Sequence, residues 1–255
     1  MTCAIDARRL TYRYPNGHVA LDGIDLRVGH GQRVAVLGPN GAGKTTLMLH
    51  LNGLLTGEGS LEVAGLPVTR GSLGELRARV GLVFQDPDDQ LFMPTVREDV
   101  AFGPLNMGLE RDEVLARVDE ALAAVRMGHA ADRAPHELSM GERRRVAIAT
   151  VLAMDPSLLV LDEPSANLDP RARRELLDVL EAIDRTILVV THDLPLAAEL
   201  CDRAVILDRG RVVADGGCSD LLDDAALLRD HDLELPAGFD LALVCRRAPH
   251  QEMAA

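Results

Sequence analysis

The chain has 255 residues, of which 47% are hydrophobic and only 2% aromatic, and its formal net charge is −13. This length accommodates one large domain, or a main domain with a smaller insert, around a core of aliphatic side chains, because tryptophan is absent. The acidic balance argues against a nucleic-acid surface and against direct adhesion to anionic lipid, since both require a basic patch.

The cysteines and the apolar segments indicate the cellular compartment in which the protein is expected to work. The four cysteines are far apart and form no C-x-x-C pair, so neither a disulfide framework nor a zinc site is expected, and a reducing cytosol fits. The N-terminus lacks the apolar core of a signal peptide, and no apolar run approaches the roughly 18–20 residues of a membrane span. We expect a soluble protein whose membrane role, if it has one, depends on a partner. The cysteines are Cys3, Cys201, Cys218 and Cys245.

The first 28 residues predict an antiparallel β layer. Polar and apolar residues alternate over 5–13 and again over 19–28, and the turn-forming segment Tyr14–Gly17 separates the two runs. Tyr14 has two interpretations. It is either a turn residue that half covers the sheet or an aromatic platform for a base.

A phosphate-binding loop follows a short buried strand predicted at Arg33–Leu37. The next eight residues fit G-x-x-x-x-G-K-[ST] and lead into a predicted helix over 46–54, which is the strand-loop-helix setting that supports the motif. Glycines let backbone N–H groups converge on phosphate oxygens, and Lys44, the only lysine of the chain, supplies a point charge. Chance would produce such a pattern in roughly one chain of this length per hundred. The loop consists of Gly38, Pro39, Asn40, Gly41, Ala42, Gly43, Lys44 and Thr45.

A second buried strand is predicted at Val80–Phe84, and a polar run that begins with Gln85 follows it. An amide at this position could reach a metal ion and a water, although the run alone would favour a solvated polar turn. Short β alternation is predicted before it, within 57–70. The apolar segment Leu91–Pro94 behind it predicts a contact surface.

Residues 85–135 predict a helical insert. One helix is expected from Glu98 to Met107, limited by Pro104, and another over Arg111–Met127, where apolar residues recur with a period near 3.6. His129 and His136 are interpreted as surface or capping residues, with a metal pair as the alternative.

Leu138–Glu142 predicts a helix start, with Ser139 as the N-cap and an apolar helix behind it. The triplet Arg143–Arg145 within this helix is interpreted as a solvated face. Asp155–Pro156 is expected to end the helix.

Leu158–Glu163 is a third buried strand that runs directly into two adjacent carboxylates. Ligands of open α/β sheets bind outside the carboxyl ends of the strands, so Asp162 and Glu163 suggest one role on a metal and one beside a water. A polar loop then leads to a helix predicted over 170–184. A further strand, Thr186–Val190, ends at His192. The rest is predicted as a helix near 194–201, strands near 204–208 and 211–214, helical structure from about 219, and weak signals over 235–255.

Taken in order, these segments resemble the nucleotide-binding subunit of ABC transporters. They correspond to the Walker A motif, Q-loop, signature, Walker B motif, D-loop and H-loop, namely Gly38–Thr45, Gln85, Leu138–Glu142, Leu158–Glu163, Ser165–Asp169 and His192. The resemblance covers roughly residues 3–222. It implies an α/β P-loop NTPase with a RecA-like parallel sheet core, an N-terminal antiparallel β subdomain and a helical subdomain at about 85–150. Residues 223–255 would form a short C-terminal extension.

The resemblance also implies roles for individual residues around ATP and Mg²⁺. Lys44 and the loop amides would hold the β- and γ-phosphates, with Thr46 directly behind the loop. Glu163 would be the general base, and Tyr14 would stack on adenine. His192 would contact the γ-phosphate. Thr45, Gln85 and Asp162 would place the metal.

The signature segment implies a dimer, because it would reach ATP bound to a second subunit. It departs from the usual L-S-G-G-Q at Met140 and Glu142, while Ser139 and Gly141 are kept. Both halves of the site are thus present in one chain, which allows a homodimer, although a heterodimer is equally open.

Within the family, the segments 83–92 and 95–104 resemble the energy-coupling factor branch, and Leu233–Pro236 is similar to its cobalt and nickel members. This implies a peripheral protein on the cytoplasmic face of the membrane that works with a transmembrane coupling protein and a cargo-binding membrane protein. Cobalt or nickel is the favoured cargo and a vitamin such as biotin the alternative. A non-transport ABC ATPase acting on ribosomes or DNA, and a P-loop kinase or pure binding module, are the competing functions.

Overall fold

The computed structural model describes residues 3–245, which form two sheets flanked by helices. Its strands are β1 (Cys3–Arg13), β2 (Val19–Gly29), β3 (Arg33–Leu37), β4 (Glu58–Val63), β5 (Leu66–Pro67), β6 (Val80–Val83), β7 (Leu158–Asp162), β8 (Thr186–Val190), β9 (Arg203–Asp208) and β10 (Arg211–Gly217). Its α-helices are α1 (Lys44–Leu51), α2 (Leu73–Arg79), α3 (Val96–Asn106), α4 (Arg111–Ala124), α5 (Met140–Leu152), α6 (Pro170–Glu181), α7 (Leu194–Leu200), α8 (Cys218–Asp223), α9 (Ala225–Asp230) and α10 (Leu241–Cys245).

The smaller sheet is antiparallel, with strand order β2-β1-β4-β5. Its two long strands pair because alternate apolar side chains of both point to the same buried face. The antiparallel layer predicted for the first 28 residues is confirmed. The buried cross-strand pairs include Ile5–Val28, Ala7–Leu26 and Leu10–Ile24.

The larger sheet has the order β10-β9-β3-β8-β7-β6, and its neighbouring strands are parallel except for the β9–β10 pair. The central strands β7 and β8 are buried along their full length, as continuous apolar runs require. Alternate residues face two different cores: Ala35 and Leu37 face the one that includes α3–α7, whereas Val34 and Val36 face α1 and the smaller sheet. Parallel strands end at one edge, so the loops after β3, β6, β7 and β8 converge there.

Helices α3, α4 and α5 pack together beside the larger sheet and contribute to its core. Helix α3 begins with a capping box in which the Thr95 side chain accepts from the Glu98 backbone and Glu98 accepts from the Thr95 backbone. Pro104 was expected to limit this helix, but it lies inside α3, whose last residue is Asn106.

Several helix boundaries differ from the sequence prediction. Helix α2 was not predicted. The helix expected over Arg111–Met127 ends at Ala124, and Arg126 adopts a left-handed φ of 59°. The helix expected over 170–184 ends at Glu181. At the end of α4 the left-handed conformation of Arg126 stops the helix, and apolar periodicity does not report such a dihedral angle.

The prediction that Arg143–Arg145 form a solvated helix face is wrong for two of the three residues. Arg144 is 1% exposed and Arg145 8% exposed. Arg145 is paired with Glu175 across a 2.8 Å contact to α6, and Arg143 with Asp88 at 2.7 Å. A charge run therefore does not identify a solvent-facing surface here.

The chain beyond β10 folds back onto the main core. Leu228 and Leu233 are buried within the same cluster as the strands of the larger sheet. Of the tail predicted to have weak structure, residues 246–255 lie outside the described residues, and α10 ends at Cys245. The proposed division at residues 222 and 223 stays a prediction. Among the described residues, no helix combines the length and the apolar character that crossing a membrane demands.

Candidate active site

The loop between β3 and α1 has a conformation that its glycines make accessible. Gly38, Gly41 and Gly43 have φ values of 148°, 81° and 104°, which L side chains rarely adopt. A Cβ atom at Gly38 would lie 2.1 Å from the carbonyl oxygen of Leu207, and one at Gly43 would lie 2.4 Å from that of Ala20. Glycine is thus required at both ends of the loop for conformation and for space.

Lys44 begins α1 and its ammonium group lies inside the loop. The Nζ atom donates to the carbonyl oxygens of Gly38 at 2.7 Å and Pro39 at 3.0 Å. Burial lowers the pKa of Lys44, and the nearby carboxylates Glu163 and Asp162 oppose this by favouring the charged form. The arrangement places a partly desolvated cation where the glycine loop opens.

Asp162 is the last residue of β7 and Glu163 follows it directly; both are buried, at 7% and 8% exposed. The pKa of Asp162 is raised to about 6, chiefly by burial and then by the adjacent Glu163 charge, while the charges of Lys44 and Arg144 act in the opposite sense. Glu163 has a left-handed φ of 45°, and its N–H donates to the carbonyl of Val190 at 2.8 Å. A non-glycine residue in this conformation marks local strain that the surrounding structure holds in place.

Both oxygens of the Glu163 carboxylate are hydrogen-bonded to the residues that follow β8. The Thr191 hydroxyl donates to Oε2 at 2.8 Å, the backbone N–H of His192 donates to Oε1 at 3.1 Å, and the Nδ1 atom of His192 lies 2.7 Å from Oε1. Thr191 is completely buried, whereas His192 is exposed. The carboxylate is therefore fixed in direction on the side of the exposed imidazole.

Two aromatic rings flank the same region on the β1–β2 turn. The rings of Tyr14 and His18 are nearly parallel, at 15°, with centroids 6.5 Å apart. The Tyr14 N–H donates to the carbonyl of His18 at 2.9 Å, so the two residues face each other across the turn. The Tyr14 hydroxyl lies 3.1 Å from the Thr46 hydroxyl, which ties the ring to α1.

These groups line one open cleft of about 430 Å³. It joins the aromatic turn, the glycine loop, both carboxylates, Gln85 and His192. Gln85 is exposed and lies at the end of β6. The lining residues are Tyr14, His18, Ala20, Asn40, Gly41, Ala42, Gly43, Lys44, Thr45, Thr46, Gln85, Asp162, Glu163 and His192.

The segment 138–142 contributes no lining residue to this cleft in the described part of the chain. It forms the start of α5, where the exposed Ser139 is the N-cap, as predicted. Glu142 completes a capping box, since its Oε2 accepts from the N–H and the hydroxyl of Ser139, each at 2.8 Å. Met140 is half-buried, and Gly141 is buried against Ala172, to which an added Cβ would come within 2.7 Å. This segment thus presents Ser139 away from the cleft.

The site contains residues that the sequence analysis did not single out. Thr191, His18 and Arg144 each contact or line it. Ser165, which begins the segment that resembles the D-loop, donates to Asp193 at 2.7 Å between the loops after β7 and β8. For Arg144 a signal exists, because it lies four residues before the buried Ile148 and so on the same face of α5.

Three of the residues that line the cleft carry oxygen donors suited to a metal ion. Thr45 offers a hydroxyl, Gln85 an amide and Asp162 a carboxylate, and such hard oxygens suit Mg²⁺, which commonly takes few protein ligands and the phosphates of its substrate. Within residues 3–245 no cluster of three or more His, Cys, Asp or Glu side chains could hold a metal by itself. The residues present therefore fit Mg²⁺ bound together with a polyphosphate.

Comparison with known proteins gives a consistent result. A family model described as ABC transporter matches residues 21–166. A putative ABC transporter ATP-binding protein of Streptomyces coelicolor is 62% identical over 238 residues, which are 93% of this chain and 92% of the relative. The energy-coupling factor transporter ATP-binding protein EcfA of Methanothermobacter thermautotrophicus is 47% identical over 93% of this chain and 78% of its own length.

A relative named as a cobalt import protein and one solved structure show the same family resemblance. The cobalt import ATP-binding protein CbiO of Rhodobacter capsulatus is 49% identical over 95% of this chain and 89% of its own length. The structure of cbiO1 from Clostridium perfringens, described as part of the ABC transporter complex cbiONQ, matches with a TM-score of 0.81 and 38% identity. That match covers 92% of this chain and 97% of the other.

Proposed function

Because this chain belongs to the ABC transporter family as an ATP-binding subunit of the energy-coupling factor type, we propose that it hydrolyses Mg-ATP in the cleft described above to power import of a transition-metal ion. One observation carries the catalytic part of the proposal. The Glu163 carboxylate is held by Thr191 and His192 at the rim of a glycine loop whose lysine lies nearby.

ATP binding in this proposal uses both ends of the cleft. Adenine stacks on Tyr14, the loop amides and Lys44 bind the β- and γ-phosphates, and the start of α1 adds its dipole. Thr45, Gln85 and Asp162 would hold Mg²⁺, which when bound neutralises phosphate charge. Phosphoryl transfer depends chiefly on such positioning and charge neutralisation.

Hydrolysis is assigned to Glu163 and His192. A water molecule attacks the γ-phosphorus, its proton passes to the Glu163 carboxylate, and the bond to the β-phosphate oxygen breaks so that ADP leaves. His192 contacts the γ-phosphate through its exposed edge, since Nδ1 already faces Glu163. Gln85, which follows β6, would contact Mg²⁺ and the attacking water.

The active form is proposed to be a dimer that encloses two ATP molecules. Ser139 and Gly141 bind the γ-phosphate held by the other subunit, because the segment 138–142 does not line the cleft of its own chain. Glu142, in place of the usual glutamine, is compatible with this because its carboxylate is bonded to Ser139. ATP shifts the equilibrium towards the closed dimer only through contacts that the open dimer lacks, and these trans contacts supply them.

The membrane partner is proposed to dock beside Gln85. Phe92 and Phe102 are 61% and 42% exposed and contact each other edge-to-face, with centroids 5.0 Å apart, and the 58% exposed Leu105 lies on the same helix as Phe102. Exposed aromatic side chains of this kind are enriched in protein interfaces. We assign this surface to a transmembrane coupling protein, which places the chain at the cytoplasmic face of the membrane.

Cobalt or nickel is the proposed cargo, supported by the cobalt import relative at 49% identity. The membrane proteins would select the ion. A vitamin cargo is the alternative, and a non-transport ABC ATPase is the competing class.

Uptake by the reconstituted complex tests the proposal. The membrane proteins that co-purify with the tagged chain are placed in liposomes with ATP inside or outside, and accumulation of Co²⁺, Ni²⁺ and biotin is measured. ATP-dependent uptake of Co²⁺ or Ni²⁺, abolished by Glu163→Gln, supports the proposal. Uptake of biotin alone would show that the cargo is a vitamin and not a metal ion. Recovery of the native protein only with ribosomes or DNA would reject the transport role.

A further inference from the structure

The guanidinium of Arg144 is buried between two loops of the catalytic site. It is 1% exposed and comes from the second turn of α5, the helix that begins at Ser139. Burying an arginine so completely is costly unless its charge is balanced and its donors are used. The partners of this side chain therefore indicate why it is there.

Those partners are backbone carbonyl groups on two different loops. Nη1 donates to the carbonyl oxygen of Phe84 at 3.2 Å and to that of Gln85, and Nη2 donates to that of Ala166 at 3.3 Å. One planar group thus joins the end of β6 to the loop that follows β7. Because its acceptors belong to the main chain, the contact fixes loop backbone rather than another side chain.

Each anchored carbonyl is next to a group assigned to catalysis. Arg144 holds Gln85 through the backbone carbonyl of that residue, and Gln85 also lines the cleft. The N–H of Ala166 donates to the carbonyl of Glu163 at 3.1 Å, so the anchored residue closes the turn that starts at the general base. Movement of either loop relative to α5 would break a bond to Arg144.

Its neighbours on α5 behave differently. Arg143 and Arg145 each contact a carboxylate, Asp88 and Glu175 respectively. Among the described residues Arg144 has no carboxylate within ion-pair distance, although the Nε atom lacks a partner in all three arginines alike. The opposite charges that act on it are those of Asp86, Asp162 and Glu163. A purely structural cation would be expected to have a paired anion, as its two neighbours do.

We propose that Arg144 is a positioning residue that fixes the loop of Gln85 and the loop of Ala166 to the start of α5, so that these three elements move as one unit. The proposal rests on the proposed function, because it matters only if Gln85 and Glu163 take part in hydrolysis. Its consequence is that the signature segment, the loop beside the membrane-partner surface and the general base are coupled within one subunit through a single side chain.

The first test compares Arg144→Lys with Arg145→Lys. Lysine keeps the charge but lacks the planar fork and cannot reach both loops at once. Arg145 is the matched control, since it is a buried arginine of the same helix that contacts neither loop. We expect Arg144→Lys to lower kcat at least 10-fold with the Kd for ATP within about twofold of the wild type, and Arg145→Lys to leave kcat within twofold. Equal kcat values for Arg144→Lys and the wild type would overturn the proposal.

A double-mutant cycle adds a readout that loss of packing would not produce. Gln85→Ala is introduced into the wild type and into Arg144→Lys. If Arg144 positions Gln85, the alanine substitution lowers kcat in the wild type and has less than a twofold effect in Arg144→Lys. Effects that multiply independently would show that the two residues are not coupled.

If Arg144→Lys does not fold, hydrogen exchange of the wild type in sub-denaturing urea tests whether the two loops are coupled. Segments 84–90 and 163–169 should open with the same free energy and the same urea dependence. Distinct values for the two segments would contradict the coupling. Failure of the proposed function can be distinguished from failure of the Arg144 inference. Absence of ATP hydrolysis by the wild type rejects the proposed function. Normal hydrolysis that depends on Glu163 but not on Arg144 rejects only this inference.

Discussion

The Nδ1 atom of His192 lies 2.7 Å from Oε1 of Glu163. Two adjacent strands of the larger sheet, β7 and β8, bring these residues together although they are 29 positions apart in the sequence. The contact fixes the carboxylate and leaves the other edge of the imidazole exposed. It is the geometric basis for assigning the base and the γ-phosphate contact to these two side chains.

Replacing Glu163 with glutamine should separate binding from turnover. The amide keeps the size of the side chain but cannot accept the proton of the attacking water, so kcat should fall by about 10²–10⁴-fold while the Kd for ATP changes little. ATPase assays and calorimetric titration measure the two quantities. Glu181→Gln, at the exposed end of α6, serves as the matched control and should retain turnover. Wild-type-like turnover in Glu163→Gln would remove Glu163 as the general base.

Replacing Lys44 with alanine should weaken ATP binding. The ammonium group is the only lysine charge of the chain and lies inside the glycine loop, so its loss should raise the Kd for ATP by at least about 10-fold. Titration with ATP tests this, with the exposed Arg70→Ala as a control for the loss of one positive charge. Unchanged ATP affinity in Lys44→Ala would contradict the phosphate-binding role.

Ser139→Ala tests the signature segment against a matched helix cap. Ser139 on α5 and Thr95 on α3 both form capping boxes, so each alanine variant should lose about 0.5–2 kcal/mol of stability. Only Ser139→Ala should also reduce ATP-dependent dimerisation and kcat. Calorimetry, size-exclusion chromatography with ATP and ATPase assays measure the three effects. Similar ATPase losses in both variants would indicate that helix stability alone accounts for the Ser139 effect.

Tyr14 should contribute to ATP affinity through its ring rather than its hydroxyl. Tyr14→Ala removes a stacking surface worth about 1–3 kcal/mol, so the Kd for ATP should rise by roughly 5- to 150-fold. Tyr14→Phe loses only the contact to Thr46 and should stay within about twofold of the wild type. Tripolyphosphate, which has no base, should bind all three proteins equally. Weaker tripolyphosphate binding to Tyr14→Ala would show that the substitution disturbs the loop.

Asp162→Asn should stabilise the protein in the absence of Mg²⁺ and nucleotide, in a pH-dependent way. Burial raises the pKa of Asp162 from 3.8 to about 6 in the folded state, so ionisation above that pH destabilises the folded state. The advantage of asparagine should be full above about pH 6, of order 1–3 kcal/mol, and should vanish as the pH falls towards the unfolded value. Thermal unfolding between pH 4.5 and 8 measures it. An advantage that does not depend on pH would contradict the raised pKa.

Much of the fold follows from local sequence signals. Continuous apolar runs identified β3, β6, β7 and β8 to within one residue, because buried parallel strands need apolar side chains on both faces. The glycine spacing placed the phosphate loop, because only glycine fits the positive φ values at Gly38 and Gly43. Helix ends were less accurate, since a residue such as Arg126 leaves the helix through one dihedral angle that periodicity does not encode.

The sequence by itself determined the residue types at the carboxyl ends of the strands, and with them the ATPase class. Only the tertiary structure decided which partner each polar group takes. It placed Thr191 and His192 on Glu163, Glu142 on Ser139, and the guanidinium of Arg144 on the backbone of two loops. The physical reason is that strand composition is a local property, whereas the hydrogen-bond partners of a buried group depend on which loops the sheet order brings together. The run of three arginines predicts a solvent-facing surface, whereas packing buries two of them and gives each of the three an acceptor.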